Sequence, residues 1–202
     1  MEIKDNKTGL PLAHYKALFA EADPETLSVR SGIPYADGAF RTTLLNRPAR
    51  ITHPDMEAVF EDTGAALRPN AQILLGRLLT GGSVVLSTGK FLAYNELPWG
   101  EVYLTQFRGR CITRMAFGFG TDPEKFEKAC LSLGGSPVPA SGPCFDIPLL
   151  PRLTMRLTVW PGEDEFPPSA QILFSDNFPL AFSAEDCAVC GDVVLDAMKG
   201  KI

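Results

Sequence analysis

The first third of the chain changes from helical spacing of apolar residues to short alternating segments. Apolar residues at 11–22 recur every three or four positions, which predicts an opening helix. Asp23 followed by Pro24 is typical of a capped helix start and predicts a second short helix through Val29. The turn-rich passage 31–38 ends this helical lead.

Three short extended segments follow the turn-rich passage. They lie at 39–46, 49–53 and 58–61, and each is stopped by Pro, Asp or Gly. Adjacent short strands joined by tight turns are typical of antiparallel pairing. The sequence therefore predicts a small antiparallel meander.

The middle of the chain predicts a mixture of helices and strands. Pro69 suits the first position of a helix that Gly81 and Gly82 end. Strands are predicted at 84–86, 90–94 and 101–104, followed by a helical pattern at 106–117.

The C-terminal half opens with the clearest helix start. Thr121, Asp122, Pro123 and Glu124 supply a cap, a first-turn proline and acidic residues at the positive end of the dipole, before a helix that Gly134 ends. The Pro- and Gly-rich segment 136–151 is expected to pack as irregular structure. Strands are predicted at 154–160 and at 170–174. A last helix is predicted from an N-cap at Ser183, where Asp186 completes a capping box, to just before Gly200.

Helices placed between short, sequentially adjacent strands favour an α+β fold. We predict a helical N-terminal lead over 1–38 and a single α+β domain over 39–202. Its short strands are mostly antiparallel and pack with several helices, and the last element is a C-terminal helix.

Charge and cysteine content narrow the classes of function. The 202 residues include 19 Lys and Arg against 24 Asp and Glu, a formal net charge of −5 that disfavours nucleic acid as a partner. No stretch approaches the roughly 18 apolar residues of a membrane helix, so no membrane partner is expected. Five cysteines, an odd number in a chain of this size, indicate reduced thiols and a cytoplasmic location.

One long motif carries a resemblance to a known family. Residues 151–168 read PRLTMRLTVWPGEDEFPP, and shorter matching pieces are LSTGKF at 86–91, ELP at 96–98, Gly134-Gly135, AQILF at 170–174 and Glu185-Asp186. Over about 40–194 the chain resembles the bacterial and archaeal family catalogued as domain of unknown function 3786, found mainly in anaerobes.

The resemblance implies a setting in anaerobic redox or one-carbon metabolism and no established activity. Some relatives carry an added iron–sulfur domain with clustered cysteines, and this chain has no such segment. The family tends to show aliphatic residues where this sequence has Cys187 and Cys190. This departure weakens the case for those cysteines as the family's working site.

Cys187 and Cys190 nevertheless form a C-x-x-C pair at the start of the predicted last helix. A helix N-terminus lowers a thiol pKa, which favours redox chemistry or half of a metal site. The preceding Glu185 and Asp186 oppose a thiolate, and i and i+3 positions share a face, so packing as small core residues is favoured. No cofactor is evident, while an iron–sulfur cluster or zinc stays open.

An acidic loop and an arginine group are the other candidates for chemistry. Glu163, Asp164 and Glu165 stand between Trp160 and Phe166 in a connection longer than a hairpin needs, either as a solvated loop or as a cation-binding or acid–base group. Arg108, Arg110 and Arg114, with Lys90, could clamp a carboxylate or phosphate, or pair with surface acids.

No motif of a known enzyme class accompanies these groups. The two histidines, His14 and His53, lie far apart in sequence and have no catalytic motif around them. The chain carries no Gly-x-Ser-x-Gly, His-Glu-x-x-His or Gly-x-Gly-x-x-Gly motif. The sequence therefore favours a protein without enzymatic activity over an enzyme.

Three hypotheses follow. The first is a cytosolic accessory module of anaerobic metabolism that binds a ligand or protein partner in a groove lined by Trp160, Phe166 and Trp99. The second is an enzyme that anchors a small anionic substrate on Arg110 or Arg114. Its acid or base would be Glu163, Asp164 or Glu165. The third is a metal or redox role of Cys187 and Cys190. Oligomeric state is not predicted.

Overall fold

The N-terminal helices pack onto the core. The computed structural model describes residues 9–162 and 166–201. Helix α1 spans Gly9–Glu21 and α2 spans Pro24–Ser31. The carboxylate of Asp23 accepts a hydrogen bond from the Thr26 amide at 2.8 Å, which confirms the predicted cap. Phe19 and Leu27 are buried among the side chains of the main core.

The predicted meander is confirmed as a four-stranded sheet in chain order. Its strands are β1 (Tyr35–Ala36), β2 (Ala39–Leu44), β3 (Arg47–Thr52) and β4 (Ala58–Phe60), each antiparallel to its neighbour. Phe40 and Leu44 of β2 and Ile51 of β3 are buried, as expected of strands with one face on the core.

The middle region is more helical than its sequence predicts. Its elements are α3 (Pro69–Gly81), β5 (Phe91–Ala93), α4 (Gly100–Phe107), a π-helical segment (Arg108–Thr113), α5 (Arg114–Phe119) and α6 (Pro123–Ser132). The helices predicted from Pro69 and from Asp122 are confirmed. The strand predicted at 101–104 is wrong because these residues belong to α4. The strand predicted at 84–86 is also wrong, since these residues pair with no strand in the part of the chain described.

A second antiparallel sheet carries most of the C-terminal half. It adds β6 (Ser136–Pro137), β7 (Cys144–Leu150), β8 (Leu153–Trp160) and β9 (Ser169–Ser175), in the order β5-β9-β8-β7-β6. The prediction of irregular structure at 136–151 is therefore wrong for β6 and β7. A register shift between Pro148 and Leu150 accommodates the proline within a paired strand.

Two helices complete the described fold, and the longer of them packs against α3, α4 and the π-helical segment. The two helices are α7 (Phe178–Ala181) and α8 (Ala184–Ala197). The Ser183 hydroxyl accepts from the Asp186 amide and the Asp186 carboxylate accepts from the Ser183 amide, as the predicted capping box requires. Buried residues of α8 join the same core as both sheets, and the α+β class is confirmed.

The length and hydropathy of a membrane-spanning helix distinguish it from the helices of the described chain. Among residues 9–162 and 166–201, no helix combines the length and apolar character that crossing a bilayer requires.

Candidate functional site

A concave surface with mixed chemistry, a groove of about 540 Å³, lies above the C-terminal end of α3. This volume lies within the range of small-molecule sites. We call it the Trp99 groove; its lining residues are His14, Tyr15, Leu18, Arg77, Thr80, Gly81, Gly82, Pro98, Trp99, Pro179, Leu180, Ala181, Phe182, Ser183 and Asp186.

Trp99 stands at the edge of this groove with an unusual backbone. Its φ is 65° and ψ is 8°, a left-handed conformation that is strained for a bulky side chain. The residue is 78% exposed, so burial of its ring does not repay this strain. Gly100 follows because a Cβ there would collide with the Tyr94 carbonyl. The turn therefore presents an indole to solvent at a local cost.

Arg77 supplies the cation of the groove. Its guanidinium forms an ion pair with Asp186 of α8, and Cζ lies 5.3 Å from the centre of the Tyr15 ring. The buried Nε has no hydrogen-bond acceptor among the described residues. Asp186 engages one terminal nitrogen of the guanidinium, so the remaining terminal N–H groups, and not the solvent-inaccessible Nε, have capacity for a further acceptor.

Asp186 is held in place from two directions. Besides Arg77, it accepts hydrogen bonds from the Ser183 amide at 3.0 Å and the Ser183 hydroxyl at 2.8 Å. The first turn of α8 and the end of α3 are therefore fixed relative to each other. The polar part of the groove is preorganised.

Apolar side chains form the rest of the groove wall. Leu18 of α1 and Leu180 of α7 are exposed along it, beside the rings of Pro98 and Pro179. Gly82 permits a close approach here, because a Cβ would lie 2.5 Å from the Ala181 carbonyl oxygen. The groove combines an apolar lining with the Arg77–Asp186 ion pair and one imidazole, that of His14.

The aromatic residues predicted to share one groove lie in different places. Trp99 lines the Trp99 groove, whereas Trp160 and Phe166 are absent from its lining. The Trp160 indole N–H donates to the Ser141 hydroxyl at 3.0 Å, and Phe166 is largely exposed. The candidate carboxylates Glu163, Asp164 and Glu165 lie outside the described residues.

The predicted arginine anchors already have carboxylate partners. Arg110 pairs with Asp192 of α8, and Arg114 pairs with both Asp192 and Asp196. These contacts join the π-helical segment to the last helix. The arrangement is that of a partly exposed ion-pair network, and neither arginine lines the Trp99 groove. Arg108 and Lys90 are exposed and do not line it either.

The C-x-x-C pair faces the interior. Cys187 and Cys190 are fully buried in α8, and burial raises the pKa of both thiols well above the ordinary value. Cys111 lies close to the same helix, its thiol donating to the Ala188 carbonyl at 3.5 Å. These environments favour neutral thiols that pack as small apolar groups.

Metal-ligating residues are dispersed over the described chain. Within 9–162 and 166–201, no three His, Cys, Asp or Glu side chains are arranged to hold a metal ion.

The two histidines have different surroundings. His53 places Nε2 3.1 Å from the carbonyl oxygens of both Phe19 and Ala22, at the end of α1. This is a structural contact that fixes the helix end on the first sheet. His14 lines the Trp99 groove instead and stacks edge-on against Tyr15, with ring centres 5.2 Å apart.

Sequence reasoning found Trp99 and missed Arg77 as a site residue. Arg77 interrupts the apolar run ILLGRLL of α3, and such a lone cation is the one available signal. Its partner Asp186 is 109 positions away along the chain. Spacing within the sequence does not reveal that pairing.

Comparison with known proteins gives one match. A family described as Domain of unknown function (DUF3786) matches residues 23–197. No curated protein and no solved structure matches the chain.

Proposed function

The chain belongs to the family catalogued as domain of unknown function 3786, and from the groove it carries we propose that the protein is a binding module for a small planar organic ligand with an acidic group. The observation that carries the proposal is Trp99, an exposed indole held in a left-handed conformation beside a groove of about 540 Å³. Residues with strained backbone cluster at active sites and ligand clamps.

The shape and lining of the groove support a flat, largely apolar ligand. The indole of Trp99 and the rings of Pro98 and Pro179 offer flat surfaces, and Leu18 and Leu180 add apolar area. Stacking on an aromatic face stabilises a second ring system by about 0.5–1.5 kcal/mol beyond burial of area. A two-ring compound fits well within the groove volume.

Arg77 supports an acidic group on that ligand. Its guanidinium is positioned by Asp186 and by the Tyr15 ring, so little side-chain entropy is lost when an acceptor binds. His14 also lines the groove and adds a second nitrogen donor. A carboxylate in this place would accept charge-assisted hydrogen bonds.

We also propose the cytoplasm of an anaerobe as the setting. Five buried free cysteines support a reducing compartment, in which thiols stay unpaired. The anaerobic setting comes from the family resemblance. A protein partner as the occupant is the alternative, and the exposed apolar residues beside the groove, Trp99 and Leu180 among them, favour it as a second candidate.

Calorimetric titration with two charged naphthalenes tests the proposal. Naphthalene-2-carboxylate is expected to bind saturably, and 2-naphthylmethylammonium, with the same ring and opposite charge, at least about tenfold more weakly. Trp99→Ala should lower the affinity for naphthalene-2-carboxylate by at least about tenfold. Phe117→Ala, which removes an exposed aromatic residue outside the groove, should leave this affinity unchanged.

Two results would overturn the proposal. One is the absence of saturable heat with either naphthalene up to the limit of solubility. The other is equal affinity of Trp99→Ala and the parent protein, which would place any binding elsewhere.

A further inference from the structure

A second, smaller pocket of about 170 Å³ lies between the two sheets. Strand β1 pairs with β2 only at Ala39 and Phe40, so β2 runs on past the end of its neighbour. Beyond that point the Leu45 amide donates to the Leu149 carbonyl at 2.9 Å and joins the sheets. We call this space the inter-sheet pocket; its lining residues are Ser31, Gly32, Ile33, Pro34, Arg41, Thr42, Leu78, Val84, Leu150, Pro151 and Arg152.

Arg152 lines this pocket from a turn position whose backbone conformation is unfavourable for an arginine. The hairpin between β7 and β8 has a two-residue loop, Pro151 and Arg152, flanked by the pair Leu150 and Leu153. Arg152 has φ 68°, where glycine or asparagine is preferred. The Asn177 side-chain amide donates to the Arg152 carbonyl at 2.8 Å and fixes the turn. The molecule thus holds an arginine, rather than a glycine, at a strained position.

Arg41 brings a second guanidinium to the pocket. It stands directly across from Arg50 in the β2–β3 ladder, an arrangement of like charges that is unfavourable on its own. Its Nη1 donates to the Ala36 carbonyl at 3.1 Å, and its Nε lies 3.4 Å from Glu61. A single, partly exposed carboxylate, that of Glu61, therefore pairs with Arg41 while Arg50 stands across from it.

Thr42 adds a buried hydroxyl without a partner. Its Oγ1 is inaccessible to solvent and forms no hydrogen bond with any described residue. A buried polar atom in this state is costly. Solvent does not reach it, and Arg41, its neighbour on β2, points to the opposite face of the strand, so this hydroxyl is not a contact for an anion held by Arg41. Of the described residues that line the inter-sheet pocket, none is acidic.

We propose that the inter-sheet pocket binds a small oxyanion, a phosphate or a small carboxylate. Both present several acceptor oxygens to guanidinium donors. The anion would offset the charges of Arg41 and Arg152. This site lies apart from the Trp99 groove and does not depend on the function proposed for it, since the two sets of lining residues share no member.

Thermal unfolding with added anions tests the proposal in Tris chloride at constant ionic strength. Inorganic phosphate or succinate should raise the unfolding midpoint saturably, relative to an equal ionic strength of sodium chloride. Whichever anion acts identifies the ligand as phosphate-like or carboxylate-like.

Three variants locate the effect. Arg152→Gly removes the guanidinium and relieves the left-handed strain, so its midpoint without anion should equal or exceed that of the parent protein. Its anion affinity should fall at least about tenfold. Thr42→Val, which replaces an unpartnered hydroxyl with a methyl group, should raise the midpoint without anion and leave anion binding unchanged. Arg108→Ala removes the same charge from an exposed position outside the pocket and should bind like the parent.

The proposal is overturned if neither anion exceeds the chloride control. It is equally overturned if Arg152→Gly retains the parent's response, or if Arg108→Ala loses as much affinity as Arg152→Gly. In the last case the effect would be one of net charge alone.

Discussion

Arg77 and Asp186 form an ion pair that joins the end of α3 to the first turn of α8 inside the Trp99 groove. The same carboxylate accepts two hydrogen bonds from Ser183, so one side chain caps α8 and orients the guanidinium. Structural support and the proposed ligand anchor are therefore the same pair of residues.

Removal of the guanidinium should destabilise the fold. Arg77→Met leaves Asp186, which is 8% exposed, without its counter-charge, and the free energy of unfolding should fall by about 3 kcal/mol. Urea denaturation measures this loss. The double variant Arg77→Met with Asp186→Asn should lose less than the two single losses added together. Additive losses would show that the pair is not coupled.

Removal of the indole should not destabilise the fold. Trp99→Gly relaxes a left-handed backbone and removes little buried area, because the side chain is mostly exposed. We expect the free energy of unfolding to rise by about 0.5–1 kcal/mol in urea denaturation. A loss of more than about 1 kcal/mol would contradict the view that Trp99 is retained for binding rather than for stability.

The ion-pair network of α8 should be a stability element. Asp192 accepts from Arg110 Nε at 3.1 Å and from Arg114 Nη1 at 3.1 Å, and its pairing raises the pKa of Arg110 against the effect of burial. Asp192→Asn keeps the shape and removes the charge, and we expect a loss of about 2 kcal/mol in urea denaturation.

A surface pair provides the matched control for this network. Glu124 and Lys128 lie 3.9 Å apart and are both well exposed, so Glu124→Gln should change the free energy of unfolding by less than about 0.5 kcal/mol. Equal effects of Asp192→Asn and Glu124→Gln would show that the network contributes nothing beyond an exposed ion pair.

Buried thiols should make the protein sensitive to alkaline pH. Burial raises the pKa of Cys111 from 9.0 to about 12, so the folded state retains a proton that the unfolded state loses. The stability linked to this thiol is complete below pH 9 and is lost as pH rises toward 12. Between these limits the free energy of unfolding of Cys111→Ala should fall less steeply with pH than that of the parent protein. The two slopes should differ by about 1.4 kcal/mol per pH unit. Parallel stability curves would contradict the assigned burial effect.

Local signals in the sequence predict the fold class well, and they fail where tertiary context decides. The caps at Asp23, Asp122 and Ser183 are predicted because a side chain and a nearby amide suffice to form them. The strand predicted at 101–104 fails because Val102 and Tyr103 are apolar yet face solvent in α4. At these two positions an apolar side chain does not indicate a buried one.

The site is harder to predict than the fold for a related reason. The Trp99 groove draws its lining from α1, α3, the turn before α4, and the segment from α7 into α8. Trp99 stands out in sequence as a tryptophan between Pro and Gly. Arg77 gains its role only when packing brings Asp186 beside it, a relationship that single-chain spacing does not encode.

The most direct test of the account observes the Trp99 indole itself. The chain has two tryptophans, so in Trp160→Phe the single indole N–H signal of a proton–nitrogen correlation spectrum belongs to Trp99. Titration with naphthalene-2-carboxylate should shift this signal saturably, and 2-naphthylmethylammonium should shift it far less at equal concentration. An indole signal that stays in place while other resonances move would contradict ligand binding at the Trp99 groove.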